Sequence, residues 1–180
     1  MAKLVSGTYG DAFFDVALES GRLDDFWEEA KAINAALQES PELSRLMSHP
    51  QIVKVEKIKV IEEIFSDKVS AEILGLLNML VEKDHFEEMG AVLEHFIGRV
   101  KEQKRIGTAY VTTAMELSPE KKAAVERRLL ETTKYVKFEM HYAVDTALIG
   151  GIVIRIGDRV VDSSVRTKLQ TLTRELSKRS

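Results

Sequence analysis

Through roughly the first hundred residues, apolar positions recur with a helical period. Val5, Tyr9, Ala12, Phe13, Val16 and Ala17 fall at i, i+4, i+7, i+8, i+11 and i+12, one stripe of an amphipathic helix. After a break at Gly21, Leu23, Phe26, Trp27, Ala30, Ile33, Asn34 and Leu37 trace a second such face. Ser40-Pro41-Glu42-Leu43 places a capping serine before a proline at the first helical position, the start of a short third helix that His49-Pro50 ends. Ile58, Ile61, Ile64 and Phe65 lie on one side of a fourth. The segment from Ser70 to Asp84 is apolar nearly all round, so a fifth helix there is expected to be the most enclosed. A sixth carries Phe86, Met89, Val92, Leu93, Phe96, Ile97 and Val100. Six helices with short connections predict a compact bundle.

Past Gly107 the period changes. Thr108–Met115 is rich in Thr, Val and Tyr and reads as a strand. Ser118-Pro119-Glu120 opens a helix running to about Thr133. Val136, Phe138, Met140, Tyr142 and Val144 then alternate with Lys137, Glu139, His141, Ala143 and Asp145, a strand with one buried face. Ile152, Ile154 and Ile156 alternate similarly, and Gly157-Asp158-Arg159 turns the chain toward Val160-Val161. Asp162 or Ser163 can cap a last helix with Val165, Leu169, Leu172 and Leu176 inside. The expected class is an α domain over residues 1–105, a six-helix bundle, followed by a small α+β domain over 106–180.

Charge follows the same division. Residues 1–105 hold 13 Lys+Arg against 20 Asp+Glu, a net −7, while 106–180 hold 13 against 9, a net +4. Opposite signs on the two parts favour two modules with different partners. The absence of cysteine removes disulfides, thiolate metal sites and cysteine nucleophiles. No apolar run approaches the roughly 20 residues a membrane-spanning helix needs. The first twenty residues resemble neither a secretory signal nor an Arg-rich transit peptide, so a bacterial cytoplasmic setting is expected.

The stretch LIGGIVIRIGDRVVDSSVRTKL, Leu148 to Leu169, has the glycines and serines of a reactive loop. A phosphate loop would require Gly-x4-Gly-Lys-Ser/Thr between a strand and a helix, and a nucleophile elbow Gly-x-Ser-x-Gly. Neither pattern is present. A structural role fits its spacing: Gly150-Gly151 for a bulge or close backbone approach, Gly157 for a turn, the serines for a cap. His49, His85, His95 and His141 show no metal-ligand spacing, and the acidic pairs at 24–25, 28–29 and 87–88 read as solvated helix faces. No catalytic, metal or cofactor site is expected. A nucleic-acid-binding adaptor using the basic second half is the alternative, although Phe138 and Tyr142 fall on the apolar side of their strand, away from any base.

The chain resembles the delta subunit of bacterial F-type ATP synthase, related to the mitochondrial oligomycin-sensitivity-conferring protein (OSCP). Ile149 to Leu172 carries the family's C-terminal signature: Gly150-Gly151, Arg155, Gly157-Asp158 in the turn, then Asp162-x-Ser164-Val165-Arg166. The first helix has the family's Tyr-x-x-Ala spacing at Tyr9 and Ala12, followed by a tryptophan, Trp27, on the second. Asn78–Phe96 is similar to the family's fifth and sixth helices. Gly7-Thr8 replaces the usual arginine-containing pair before the tyrosine.

The resemblance implies a non-catalytic stator subunit, monomeric within the assembly, joining the catalytic head to the peripheral stalk so that proton-driven rotation is coupled to ATP synthesis. It would lie at the cytoplasmic face of the bacterial cell membrane, attached only through the complex, without cofactor and without nucleic acid. The N-terminal bundle would receive the N-terminal helix of an alpha subunit between the first and fifth helices, and the C-terminal domain would engage b-type stalk helices. For the groove the candidates are Tyr9, Ala12, Phe13, Val16 and Trp27, with Leu74, Leu77, Asn78 and Val81 on the fifth helix; core packing is the alternative for each. Arg155 and Arg166 either meet an acidic partner or pair with Asp158 and Asp162.

Overall fold

In the computed structural model the described residues are 2–49 and 51–177, and for 2, 3, 41, 44 and 172–177 only the backbone is described. Pro50 and the side chains of Leu172 and Leu176 therefore lie outside the described residues. The chain forms two compact units, Met1–Lys101 and Glu102–Ser180. A helical N-terminal part is followed by a part built on a small mixed sheet.

The helices of the first part are α1 (Ala2–Glu19), α2 (Leu23–Glu39), α3 (Pro41–Met47), α4 (Lys54–Phe65), α5 (Ala71–Glu82) and α6 (Met89–Gln103), with a 3-10 turn at Phe86–Glu88. Their shared core is anchored by aromatic rings. Phe13 stacks on Phe26 at 5.3 Å between centroids and tilts against Phe96 at 4.8 Å. Each buried phenylalanine removes enough apolar surface to contribute about 2 kcal/mol. Gly10 brings α1 close to α6, because a Cβ there would lie 2.7 Å from His95 Cδ2. Across the same contact Asp11 Oδ1 lies 3.0 Å from His95 Nε2 and 3.1 Å from Arg99 Nε.

α5 departs from the expected all-round enclosure. Ile73, Leu76, Leu77, Leu80 and Val81 are buried, yet Ala71, Gly75 and Met79 are exposed. These three are four residues apart and form one face, where small side chains and a flexible Met leave the surface uncovered. Glu29, expected on a solvated face, instead accepts from Ser70 N at 2.8 Å and Ser70 Oγ at 2.7 Å, satisfying the start of α5.

In the second part, β1 (Ile106–Thr113), α7 (Pro119–Thr132), β2 (Lys137–Val144), β3 (Ile152–Ile156), β4 (Arg159–Asp162) and α8 (Val165–Ser177) follow in order. The sheet order is β2-β1-β3-β4. β1 and β2 are parallel, so the chain must cross over between them, and α7 makes that crossover; β3 and β4 add antiparallel. One face of the sheet packs Ala109 and Phe138 with Leu129 of α7, and Tyr142 Oη donates to Lys122 O at 3.3 Å. Ser118 caps α7, accepting from Lys121 N at 3.4 Å.

The glycine-rich stretch connects β3 to α8. Gly151 has φ of +85°, and a Cβ there would overlap Ser163 O and sit 2.9 Å from Ser164 Cα, so close backbone approach is its role. Gly157, φ +55°, makes the β3–β4 turn in open space. The cap of α8 differs from the sequence expectation. Ser164, not Asp162 or Ser163, occupies the capping position, with its Oγ accepting from Thr167 N at 3.3 Å. Asp162 braces it, accepting from Ser164 N at 2.8 Å and from Thr167 Oγ1 at 2.7 Å. Ser163 is used through its backbone N–H, which donates to Ile152 O.

The two glycines should therefore respond differently to substitution. Gly151→Ala is expected to cost about 3 kcal/mol or more, from overlap added to backbone strain. Gly157→Ala meets nothing and should cost only about 1 kcal/mol of left-handed backbone energy. Urea denaturation of the two variants checks the order; equal losses would contradict it.

Candidate functional site

Two end contacts align α1 and α5 antiparallel. Arg22, just past α1, reaches Glu72 at the start of α5 at 3.3 Å, and the Tyr9 ring lies 6.0 Å from that of His85, just past α5. On α1, α6 is met by the flank bearing Gly10, Asp11 and Phe14, whose ring has the Arg99 guanidinium at 5.1 Å. At 100° per residue, Val5, Tyr9, Ala12 and Val16 fall within about 60° of one another on the other flank. Val5 and Tyr9 are half-buried, Ala12 is exposed, and Val16 is 43% exposed. This is an apolar stripe that the protein's own core leaves partly uncovered. Phe13 corrects the sequence reading: it is 5% exposed and inside the aromatic cluster, supporting the stripe from beneath.

On α5 the expected stripe faces elsewhere. Asn78 Nδ2 donates to Glu62 of α4 at 3.2 Å, so that flank looks at α4. Leu77 and Val81 are 0% and 2% exposed, core residues, and Leu74 is half-buried beside Asn78. Glu72, which meets Arg22 at the α1–α2 junction, is about 120° round the helix from Asn78. The residues sharing the Glu72 side are Gly75, Leu76 and Met79, none of them among the sequence candidates. An exposed methionine inside an otherwise apolar helix was the available signal.

Trp27 also lies off the groove. Glu29 directs its carboxylate to the start of α5, and Trp27 is about 200° round α2 from it. It shares the flank of Asn34, whose Oδ1 approaches Gly90 of α6. There it is half-buried, with Lys31 Nζ 4.3 Å over its ring. Its packing against the shared core accounts for the residue as core, the alternative open to it in the sequence.

The second part has one sheet face turned from α7. Register places His141 of β2, Tyr110 of β1, Arg155 of β3 and Val160 of β4 in a row across all four strands. The Tyr110 and His141 rings stack at 4.9 Å with 18° between planes, and the Arg155 guanidinium is 4.7 Å from the Tyr110 centroid. Because β2 and β3 flank β1 on opposite sides, the imidazole and the guanidinium sandwich the tyrosine. All four side chains of the row are exposed. Among the described residues Arg155 makes no ion pair with Asp158 or Asp162, and the oxygens of Asp162 are committed to the α8 cap. Arg166 is exposed and acts on Asp162 only as a weak field. A tyrosine already engaged by an imidazole and a guanidinium is a poor platform for a base, which argues against the nucleic-acid adaptor.

No three His, Asp or Glu side chains gather as metal ligands among the described residues, and none of the helices among them is long and apolar enough to cross a membrane. Gly150, Gly151, Gly157, Asp162 and Ser164 serve the β3–α8 connection, and Asp158 lies exposed in the β3–β4 turn.

The family model described as ATP synthase delta (OSCP) subunit matches residues 5–176. The chain belongs to this family. An ATP synthase subunit delta from Lachnoclostridium phytofermentans is 48% identical over 178 residues, 99% of this chain and 98% of its relative. Another, from Prochlorococcus marinus strain MIT 9303, is 32% identical over 174 residues, 97% and 96% of the two chains. A chain in the cryo-EM structure of the Toxoplasma gondii mitochondrial ATP synthase hexamer shares the fold, with a TM-score of 0.77 at 20% identity over 95% of this chain and 96% of that one. The delta-family chain is thus a subunit of the F-type ATP synthase assembly, and the nucleic-acid adaptor finds no support in these relationships.

Two carboxylates of this delta-family chain are held below their ordinary range. Hydrogen bonds hold Asp162 below the ordinary aspartate range, the Thr167 hydroxyl first and the Ser164 N–H next. The His95 hydrogen bond, aided by the charges of His95 and Arg99, lowers Asp11 likewise. A depressed carboxyl stabilises the fold above its unfolded pKa, about 4, and loses that contribution as pH falls through the depressed value. Protection of the amides in the first turn of α8, measured as exchange relative to the intrinsic rate at each pH, should therefore fall on acidification below about pH 4. Asp162→Asn should abolish that pH dependence while raising exchange at neutral pH; an unchanged acid profile in the variant would refute the bracing role.

Proposed function

We propose that this delta-family chain is a non-catalytic stator linker, holding the catalytic head against the peripheral stalk while the rotor turns. The N-terminal unit, a six-helix bundle over about residues 1–105, grips the amphipathic N-terminal helix of an alpha subunit along the α1–α5 groove. The C-terminal unit, about residues 106–180, engages the b-type stalk subunit. ATP turnover belongs to other chains of the complex. The protein acts as a single copy at the cytoplasmic face of the bacterial cell membrane, held there by its neighbours.

The observation that carries this reading is the half-covered apolar stripe of Val5, Tyr9, Ala12 and Val16 on α1, together with the exposed Ala71, Gly75 and Met79 face of α5. A helix docking by i, i+3, i+4 and i+7 anchors needs such a pair of apolar rails. Ala12 and Gly75 allow close approach, while Met79, 45% exposed, can adapt its shape to the incoming side chains. The acidic balance of residues 1–105, net −7, suits a partner helix with basic residues on its outer flanks.

Calorimetric titration with a synthetic peptide of the same organism's alpha-subunit N-terminal helix tests the groove. Val16→Asp and Met79→Asp should each weaken binding by about tenfold or more, since each puts a charge into the desolvated seam. Leu18→Asp, about 200° round α1 from Val16 and 44% exposed, should bind normally. Equal affinities for all four proteins, or no binding by any, would overturn the assignment.

A further inference from the structure

We propose that the uncovered face of the C-terminal sheet, centred on the His141–Tyr110–Arg155–Val160 row, is the seat of an acidic amphipathic helix of the stalk partner. The proposal rests on the stator reading above and specifies where its second grip is made and by what chemistry. Arg155 is held in place by an aromatic ring instead of a carboxylate, so its N–H donors remain available. His141, stacked on the other side of Tyr110, limits the freedom of the ring and hence of the guanidinium above it. Such a cation has already given up much of the rotamer entropy that a flexible arginine loses on binding.

Beside it lies apolar surface. Val153 shares the face with Arg155 one row along, and Val160, 58% exposed, stands directly opposite Arg155 on the edge strand. A shallow depression of about 380 Å³ runs over Tyr110, Thr112, His141, Ala143, Val153 and Arg155. Of the carboxylates in register on this face, Asp162 is occupied by the α8 cap, and Glu139 belongs to the outer strand β2, beyond Tyr110 from Arg155. The face thus offers an oriented cation beside two valines. That combination selects a helix presenting a Glu or Asp one turn from aliphatic residues. A nucleic-acid strand is disfavoured, because the Tyr110 ring is already engaged by His141 and Arg155.

The test uses the full chain and the soluble, post-membrane segment of the same organism's b-type subunit, titrated by calorimetry. Arg155→Glu should weaken binding by at least about tenfold, and Arg155→Lys should weaken it less, since a charge without the planar fork remains. Val160→Asp, at an exposed edge, provides a second variant if Arg155→Glu fails to fold. Arg166→Ala should leave affinity unchanged, and all variants should bind the alpha-subunit peptide like the parent. Unaltered b-segment affinity in Arg155→Glu and Val160→Asp would overturn this placement and leave the stator reading intact. Failure of the parent protein to bind the b segment would overturn both. Saturable binding of a polyuridine strand that excludes the b segment and is lost in Arg155→Glu would also overturn it.

Discussion

The rotational setting of α1 about its own axis governs what the N-terminal unit can offer a partner. Phe13 is drawn inward by Phe26 and Phe96, and Gly10 presses the helix onto His95. With that face pinned, the Val5-Tyr9-Ala12-Val16 stripe has to fall on the flank away from α6. The Asp11 contacts to His95 and Arg99 reinforce the setting from the opposite flank. A rotation of one residue, about 100°, would bury the stripe or expose the phenylalanines. The aromatic core and the partner surface are consequences of one choice, so core packing here is also a condition for binding.

The C-terminal unit solves a comparable problem with backbone. A small sheet covered by one helix has a single buried face, and its other face stays in water unless something else covers it. The Gly151 approach and the Asp162–Ser164–Thr167 cluster fasten the end of the sheet to α8 through local contacts. That leaves the open face free of structural duty. Tyr110, His141 and Arg155 can therefore be organised for each other, and the arginine is oriented by the ring.

The glycine- and serine-rich stretch serves geometry, as its spacing predicts: Ser164 caps a helix and Gly151 permits a close backbone approach, while Glu29, expected in solvent, meets the start of α5. Tyr110 is the converse case. Its strand was legible, but with the flanking residues Thr108 and Thr112 uninformative about sidedness, nothing in the alternation marked it as the aromatic left facing outward. Its exposure follows from α7 covering the other face, a choice made by the crossover between β1 and β2.

Local rules were sufficient for much of the architecture. Helical and strand periods, the Ser118-Pro119 start and the switch near Gly107 depend on neighbours a few residues apart, and the chain alone determined them. The signature between Gly150 and Arg166 likewise identified the family, because turn and cap chemistry is written in consecutive residues. Which flank of each helix met which neighbour was decided only in three dimensions. Leu76, Leu77 and Val81 went to the core and Asn78 to α4, while Gly75 and Met79 were left exposed. An amphipathic stripe wider than 100° always spans several flanks, and its hydrophobicity is the same whether its future contact is the chain's own core or another protein. Packing alone breaks that degeneracy, since a given surface becomes core or groove only when the neighbouring helices take their places.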